Sequence, residues 1–168
     1  MNRIFRFIIC FLFVAIQLFA QEENSFEKQT ANTKIVGEEY FSSYILMDWD
    51  NLEQLLADSS SFGDPTGQPI FNSVMKYGKI AVMKTFREAY ATIEEMKFTK
   101  IRSFYSGNHA IFEGNLDWTT NLRNGKTVRS VMPIITILKV ENGLVSEHRD
   151  YADYAPFLSE YRKVNSSN

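Results

Sequence analysis

The stretch Gly143-Leu-Val-Ser-Glu-His-Arg-Asp-Tyr-Ala-Asp-Tyr154 decides the predicted fold, because it starts at a tight turn, continues as a strand and leads into a terminal helix. Alternate side chains of an extended strand share a face, so His148 and Asp150 point to one side and Arg149 points to the other. One face of this strand therefore carries an imidazole and a carboxylate. That pairing makes the strand a candidate wall of a polar site.

Further strands are predicted upstream of this stretch by side chains that alternate in polarity. The alternation begins at Phe98, Gly107-Asn108 turns the chain, and Asn124-Gly125 is typical of a two-residue hairpin turn. The predicted strands cover residues 98–105, 109–120 and 128–140. The last of them is apolar on both faces, as expected of a central strand.

Helices are predicted before the strands. Apolar residues recur at helical spacing in the first one, with Asn32 or Thr33 available as its cap. These residues are Val36, Tyr40, Tyr44 and Met47. A short second helix is predicted over residues 50–56 and the longest helix over residues 79–95, while residues 57–68 between them are rich in turn-forming residues.

This order of elements predicts an α+β domain whose N-terminal helices cover one face of a curved antiparallel sheet. Ser-Phe-Gly-Asp-Pro at 61–65 and Asn-Gly-Leu-Val-Ser-Glu-His-Arg-Asp-Tyr-Ala-Asp at 142–153 resemble the nuclear transport factor 2-like superfamily, in its SnoaL-like and limonene-epoxide-hydrolase-like branch. The resemblance runs from about Lys34 to Arg162 and implies a cone-shaped sheet around an apolar cavity with a few inward polar side chains. We therefore predict a SnoaL-like domain over residues 33–163 and a disordered tail over 164–168.

The predicted turns set a register that brings the polar residues together. A two-residue turn at Asn124-Gly125 and a three-residue loop ending at Gly143 fix which residues lie opposite one another. The predicted partners are Asp117 with Met132, Asn115 with Ile134, His148 with Thr136, and Asp150 with Ile134. Asp117, Asn115, His148 and Asp150 then share one face of the sheet.

Two carboxylates that face an apolar pocket resist ionising together, so the pair can act as an acid and a base. We predict Asp117, Asp150 and His148 as catalytic residues for proton transfer on a small, largely apolar molecule, as in an isomerase or cyclase. The predicted ligand-binding residues are Asn115, Asp64, Phe62, Tyr44, Tyr90, Met132 and Ile134. No cofactor and no metal is predicted, because a lone histidine with carboxylates is a weak pattern for a metal site.

The resemblance also implies a comparison with the epoxide hydrolases of this branch, which use two aspartates bridged by an arginine. Asp117 and Asp150 would match the aspartates, and Asp64 and Phe62 fall near the early-loop positions that hold water. Asn115 stands at the arginine position and cannot make a charged fork to both carboxylates. Epoxide hydrolysis is therefore a less favoured prediction.

Other roles for these residues stay open. Asp150 and Asp153 could cap the terminal helix, His148 could be a histidine at the edge of the core, and Asp64 could be a turn residue. The competing function is a noncatalytic ligand carrier or an interaction module that forms a homodimer through the outer face of the sheet. Under the predicted register that face carries Arg129, Val131, Ile135 and Ile137.

The N-terminus predicts export. Arg3 and Arg6 precede an apolar run from Phe7 to Phe19, which is typical of a signal peptide over residues 1–20 and too short to span a bilayer comfortably. A flexible lead-in is predicted over residues 21–32, and the exported chain would be periplasmic or secreted, without stable membrane insertion. The single cysteine, Cys10, lies in the apolar run, and the acidic balance of 18 basic against 20 acidic residues argues against nucleic-acid binding.

Overall fold

A computed structural model of the chain describes residues 25–72 and 75–166, in which five helices and six strands follow one another. The helical elements are α1 (residues 25–46), α2 (Trp49–Leu55), α3 (Gln68–Phe71), α4 (Lys79–Ala89, followed by a 3-10 turn at Tyr90–Thr92) and α5 (Ala155–Ser166). The strands are β1 (Leu56–Gly63), β2 (Lys76–Tyr77), β3 (Ile93–Ser106), β4 (His109–Asn121), β5 (Thr127–Glu141) and β6 (Leu144–Ala152). No helix in the described ranges is long and apolar enough to cross a membrane.

The strands form one curved sheet in the order β2-β1-β6-β5-β4-β3. The predicted meander β3-β4-β5-β6 is present and antiparallel, which confirms the α+β fold. Strand β1 pairs with β6 in parallel, so the sheet is mixed rather than wholly antiparallel. The helices lie on one face of it, as predicted.

Strand β1 is the element that the sequence pattern concealed. Residues 57–68 were predicted as a turn-rich segment, but Leu56–Gly63 is a strand that pairs with both β2 and β6. Leu56 and Phe62 are buried at its two ends and anchor the serine-rich part between them. Pairing with β6 outweighs the weak strand preference of these small polar residues, because strand formation depends strongly on tertiary context.

Buried and more exposed residues alternate along β4 and β5, so the sheet has a buried inner face and a more exposed outer face. On β4 the inner face carries Phe112, Leu116 and Trp118, which are all buried against the helices. Gly114 continues this face at a point where Phe98 of β3 crosses it, and a Cβ there would lie 2.4 Å from the phenyl ring. The inner face is therefore packed closely around an aromatic core.

The predicted register between β4 and β5 is wrong by one residue. The chain turns over residues 122–126, where the amide of Leu122 donates to the carbonyl of Lys126 at 2.8 Å, rather than only at Asn124-Gly125. Asp117 consequently lies opposite Val131 and Asn115 opposite Pro133. A shift of one residue moves a side chain to the other face, so both polar residues point away from the helices.

The register between β5 and β6 differs from the prediction by two residues, which leaves every face unchanged. Asn142 and Gly143 form the turn with φ of 53° and 78°, so the loop is a two-residue one with both central residues in the left-handed region. Thr136 lies opposite Asp150, and Leu138 lies opposite His148. His148 and Asp150 therefore share the inner face with Thr136.

Three predicted boundaries are also wrong. Helix α1 already covers residues 25–32, which were predicted as a flexible lead-in, and α5 extends through residues 164–166, which were predicted as a disordered tail. Helix α4 ends at Ala89, because residues 93–95 belong to the paired strand β3 rather than to a helix. The predicted signal peptide lies outside the described residues.

Candidate functional site

A buried carboxylate on β6 is the centre of a hydrogen-bonded network inside the fold. Asp150 is 3% exposed, and each of its oxygens accepts hydrogen bonds. Thr136 donates to Oδ1 at 2.5 Å, and Tyr44 donates to Oδ2 at 3.0 Å. Nε2 of His148 lies 3.0 Å from Oδ1. A buried carboxylate is tolerated only when its lone pairs are satisfied in this way.

The bonding partners of His148 indicate its tautomer. A carboxylate only accepts hydrogen bonds, so Nε2 carries the proton that it donates to Asp150. Nδ1 lies 3.1 Å from the hydroxyl of Tyr40 and accepts a hydrogen bond from it. The imidazole is completely buried and has aromatic rings edge-on around it, including Tyr44 and Phe62 at 4.7 and 5.0 Å between ring centroids. Tyr40 and the aromatic rings thus hold the ring in one orientation beside Asp150.

A chain of two tyrosine hydroxyls leads outward from Asp150. The hydroxyl of Tyr44 gives its proton to Asp150, so Tyr90, whose oxygen is 2.7 Å from that of Tyr44, donates to Tyr44. Tyr90 is partly exposed, whereas Tyr44, His148 and Asp150 are buried. Tyr90 is therefore the most exposed member of this chain.

Burial keeps these tyrosines in the hydroxyl form. Burial first, and then the charge of Asp150, raises the pKa of both Tyr40 and Tyr44 well above the ordinary tyrosine value. The same two causes raise the pKa of Tyr90, and the hydrogen bond with Tyr44 offsets part of that rise. All three hydroxyls remain proton donors across the physiological pH range.

A second buried carboxylate, Asp64, lies after β1. Oδ1 of Asp64 accepts hydrogen bonds from Thr66 at 2.7 Å and from the amide of Gly67 at 2.8 Å, and Oδ2 accepts one from the hydroxyl of Tyr154. Burial and then the charge of Asp64 raise the pKa of Tyr154. The charge of Asp64 also contributes, as the smallest cause, to the raised pKa of Tyr90. Asp64 is both the predicted turn residue and part of a buried polar cluster.

The structure separates Asp117 from this network. Asp117 lies on the outer face, where Arg129 donates to its two oxygens at 2.9 and 2.6 Å and lowers the pKa of its carboxyl. Asn115 lies on the same outer face. The prediction that Asp117 and Asn115 share a face with His148 and Asp150 is wrong, because it depended on the two-residue turn.

The other predicted pocket residues lie on the inner side. Phe62, Met132 and Ile134 are buried there, and Tyr44 and Tyr90 belong to the network itself.

The two aspartates that could cap helix α5 have different roles. Asp153 accepts a hydrogen bond from the amide of Ala155 at 2.9 Å and caps α5, whereas Asp150 is engaged in the network.

Three members of the site were missed as polar partners. Tyr40 was identified only as a helical core residue, although its position four residues before Tyr44 places both hydroxyls on one side of α1. Thr136 is a polar residue within the otherwise apolar strand β5, and that contrast was the feature that could have identified it as a partner of Asp150. Tyr154 is the last residue of the stretch 143–154, and its hydroxyl donates to Asp64. Within residues 25–72 and 75–166, no group of three or more His, Cys, Asp or Glu side chains is placed to hold a metal ion.

Comparison with known proteins identifies a family and a fold. A family model described as the SnoaL-like domain matches residues 38–148. A candidate SnoaL-like polyketide cyclase from Shewanella putrefaciens CN-32 has 20% sequence identity and a TM-score of 0.69, and the match covers 78% of this chain and 96% of that chain. No curated protein matches the sequence.

Two further solved structures show how varied the proteins with this fold are. A candidate ketosteroid isomerase from Kribbella flavida DSM 17836 has 22% identity and a TM-score of 0.57, with 75% of this chain and 81% of that chain covered. A limonene-epoxide-hydrolase-like epoxide hydrolase from M. tuberculosis has 15% identity and a TM-score of 0.63, with 82% and 95% covered. At such identities the likeness shows the fold and leaves the activity to be argued from the site.

Proposed function

The chain belongs to the SnoaL-like domain family, and on that premise we propose that its interior binds a small, largely apolar molecule and moves a proton on it, in an isomerase- or cyclase-type reaction. The family match confirms the resemblance predicted from the sequence. The observation that carries the proposal is the path of hydrogen bonds from buried Asp150 through Tyr44 to the partly exposed Tyr90.

The direction of these bonds supports a proton relay. When the oxygen of Tyr90 takes a proton from the bound molecule, its own proton passes to Tyr44, and the proton of Tyr44 passes to Oδ2 of Asp150. The bound molecule loses one proton, Asp150 gains one, and both hydroxyls are restored. Return along the same path to a different atom of the molecule completes an isomerisation, with no proton lost to solvent.

The remaining residues hold Asp150 in place for this exchange. His148 and Thr136 both occupy Oδ1, which leaves Oδ2 to receive the proton through Tyr44. Tyr40 fixes the far side of the imidazole and keeps Nε2 directed at Asp150. Preorganised donors of this kind stabilise charge without rearranging during the reaction.

A suitable test uses cyclohex-3-enone and a bicyclic homologue, whose conversion to conjugated ketones moves a proton from C2 to C4 and is followed by ultraviolet absorbance. We expect Asp150→Asn and Tyr90→Phe to lower kcat by about 100-fold or more, because each removes a member of the relay. Asp117→Asn and Tyr77→Phe are matched controls, since Asp117 is on the outer face and Tyr77 is 71% exposed. Their rates should equal that of the unaltered chain.

Unchanged rates in both relay variants would overturn the catalytic proposal. Binding of these ketones without any conversion would instead support the noncatalytic ligand carrier. Circular dichroism of each variant separates lost chemistry from lost folding.

We also propose that a second copy of the chain covers the outer face of the sheet. Phe104, Val131 and Ile135 are 51%, 53% and 39% exposed on that side, and a sheet face of a monomer rarely exposes this much apolar surface. The prediction that Arg129, Val131, Ile135 and Ile137 point outward is confirmed by the alternation of burial along β5. A C2 dimer would bury this apolar surface against its own equivalent.

Export is a further proposal, supported by the sequence of residues 1–20. Arg3 and Arg6 before an apolar run, with Ala20 ahead of Gln21, suit removal of a signal peptide. The mature chain would then act in a periplasm or outside the cell.

A further inference from the structure

Two polar side chains that lie opposite each other on β4 and β5 have no hydrogen-bonding partner in the described part of the chain. Trp118 on β4 and Ser130 on β5 lie directly opposite each other in the antiparallel ladder. They are 8% and 4% exposed, and neither the indole nitrogen of Trp118 nor the hydroxyl oxygen of Ser130 has a partner among the described residues. Opposed residues on one face of a sheet have their Cβ atoms about 5 Å apart, so the side chains of Trp118 and Ser130 are direct neighbours.

Unpaired polar groups of this kind are costly and uncommon. Leaving a buried donor without a partner costs about 1–3 kcal/mol, and most buried side-chain polar atoms have one. The neighbouring polar groups on the inner face obey this rule, since Thr120 donates to the carbonyl of Thr92 at 3.2 Å and Thr136 donates to Asp150. The exception at Trp118 and Ser130 therefore points to an occupant that completes their bonding.

The chemistry of the two groups defines that occupant. An indole N–H can only donate, and a serine hydroxyl can also donate, so the occupant must present an acceptor. The surroundings are apolar, because Trp118 belongs to an apolar cluster and Ser130 lies between two members of that cluster on β5, Val128 and Met132. No lysine or arginine is buried in the described part of the chain, so a carboxylate placed there would lack a buried counter-charge. A neutral oxygen, as in a ketone or an ether, satisfies both conditions.

The apolar surroundings also connect this pair to the proton relay. Tyr90 packs against the core cluster that contains Trp118 and Met132, and equally against the cluster that contains Tyr44 and Phe86. Its ring therefore lies at the junction between the two halves of the interior.

From this arrangement we propose that the molecule bound by this protein carries a neutral carbonyl or ether oxygen, which accepts hydrogen bonds from Nε1 of Trp118 and Oγ of Ser130. The remainder of the molecule is apolar and extends towards Tyr90. The inference names the ligand class for the proposed function and rests on it for the location of the pocket, but it concerns binding and not turnover.

The test compares two probes of nearly equal shape, 2-acetylnaphthalene and 2-isopropenylnaphthalene, which differ by a carbonyl oxygen in place of a methylene group. Equilibrium dialysis of the full domain should show that the ketone binds about tenfold more tightly, as expected for two buried hydrogen bonds. Ser130→Ala and Trp118→Phe should each lower this preference to about threefold, because each variant removes one of the two bonds. Binding of the hydrocarbon should change little in Ser130→Ala.

Ser60→Ala is the matched control, because the hydroxyl of Ser60 is also buried and has no partner within residues 25–72 and 75–166, but Ser60 lies on a different strand, β1. This variant should keep the preference for the ketone. Equal binding of the two probes by the unaltered chain, failure of the ketone to bind, or a preference that neither substitution lowers would overturn the inference. If the unaltered chain prefers the ketone probe but does not isomerise cyclohex-3-enone, the proposed reaction is wrong and the proposed binding of a carbonyl oxygen stands.

Discussion

His148 and Asp150 lie two residues apart on strand β6, and their side chains meet at 3.0 Å between Nε2 and Oδ1 on the inner face of the sheet. Both are buried, and between them they receive donors from helix α1 and strand β5. The pair is therefore held by two other elements, α1 and β5, as well as by its own strand.

Replacement of the buried carboxylate should destabilise the fold more than replacement of the exposed one. Asp150→Asn introduces an amide donor where Tyr44, Thr136 and His148 all supply donors, so we expect a loss of about 1–3 kcal/mol in the free energy of unfolding. Asp117→Asn should cost less than about 1 kcal/mol, because it removes only a surface ion pair with Arg129. Urea denaturation of the two variants measures both values, and equal losses would contradict the structural difference between the two faces.

The ion pair of Asp117 should appear in the pH dependence of stability. Arg129 lowers the pKa of this carboxyl in the folded chain, so the stabilisation is present above the unfolded pKa and is lost as the pH falls through the lower, folded pKa. Asp117→Asn should therefore flatten the fall of Tm below about pH 4, relative to the unaltered chain. Thermal melts between neutral and acidic pH test this, and parallel curves for the two proteins would show that the pair contributes nothing.

The proposed dimer predicts a concentration-dependent mass. Ile135→Lys places a charge in the middle of the outer face and should convert a dimer to a monomer in sedimentation equilibrium. Ile80→Lys is the control, since Ile80 is 88% exposed on α4 and away from that face. A monomeric unaltered chain, or a dimer that tolerates Ile135→Lys, would exclude this interface.

Export predicts a defined N-terminus. Expression of the full chain in a Gram-negative host, followed by fractionation and intact-mass measurement, should yield a periplasmic product that begins at Gln21. Substitution of Arg3 and Arg6 by glutamate should leave uncleaved precursor in the cell, because a signal peptide needs a positive N-terminal region. An unprocessed chain beginning at Met1 in the unaltered protein would contradict the proposal.

The sequence was sufficient for the order of helices α1, α2, α4 and α5 and strands β3 to β6, and for half of the site. Alternation along residues 144–152 placed His148 and Asp150 on one face. The observed register with β5 differs from the predicted one by two residues, and such a shift leaves that face unchanged. The position of Asp117 was different, because its face depended on the length of a turn. Asn124-Gly125 indicated a two-residue hairpin turn, but the hydrogen bond between Leu122 and Lys126 closes a longer turn over residues 122–126.

Other features could not be read locally. Strand β1 is serine-rich and forms because β6, far along the chain, offers it a pairing edge. The hydroxyls of Tyr40 and Thr136 gain their importance only from the carboxylate and imidazole that folding brings to them. Helical spacing and apolar runs showed where these residues would be buried, but not which polar group each would meet.

The hydrogen bonds from helix α1 to strand β6 join residues that are 108 positions apart for Tyr40 and His148 and 106 apart for Tyr44 and Asp150. Closing such a long stretch of chain costs entropy, which the packing and hydrogen bonds of the completed core must offset. During synthesis, the ribosome must release β6 before Tyr40 and Tyr44 can find their partners. The nascent chain therefore carries no assembled site until strand β6 has emerged, so an N-terminal fragment that lacks β6 would leave the hydroxyls of Tyr40 and Tyr44 without His148 and Asp150.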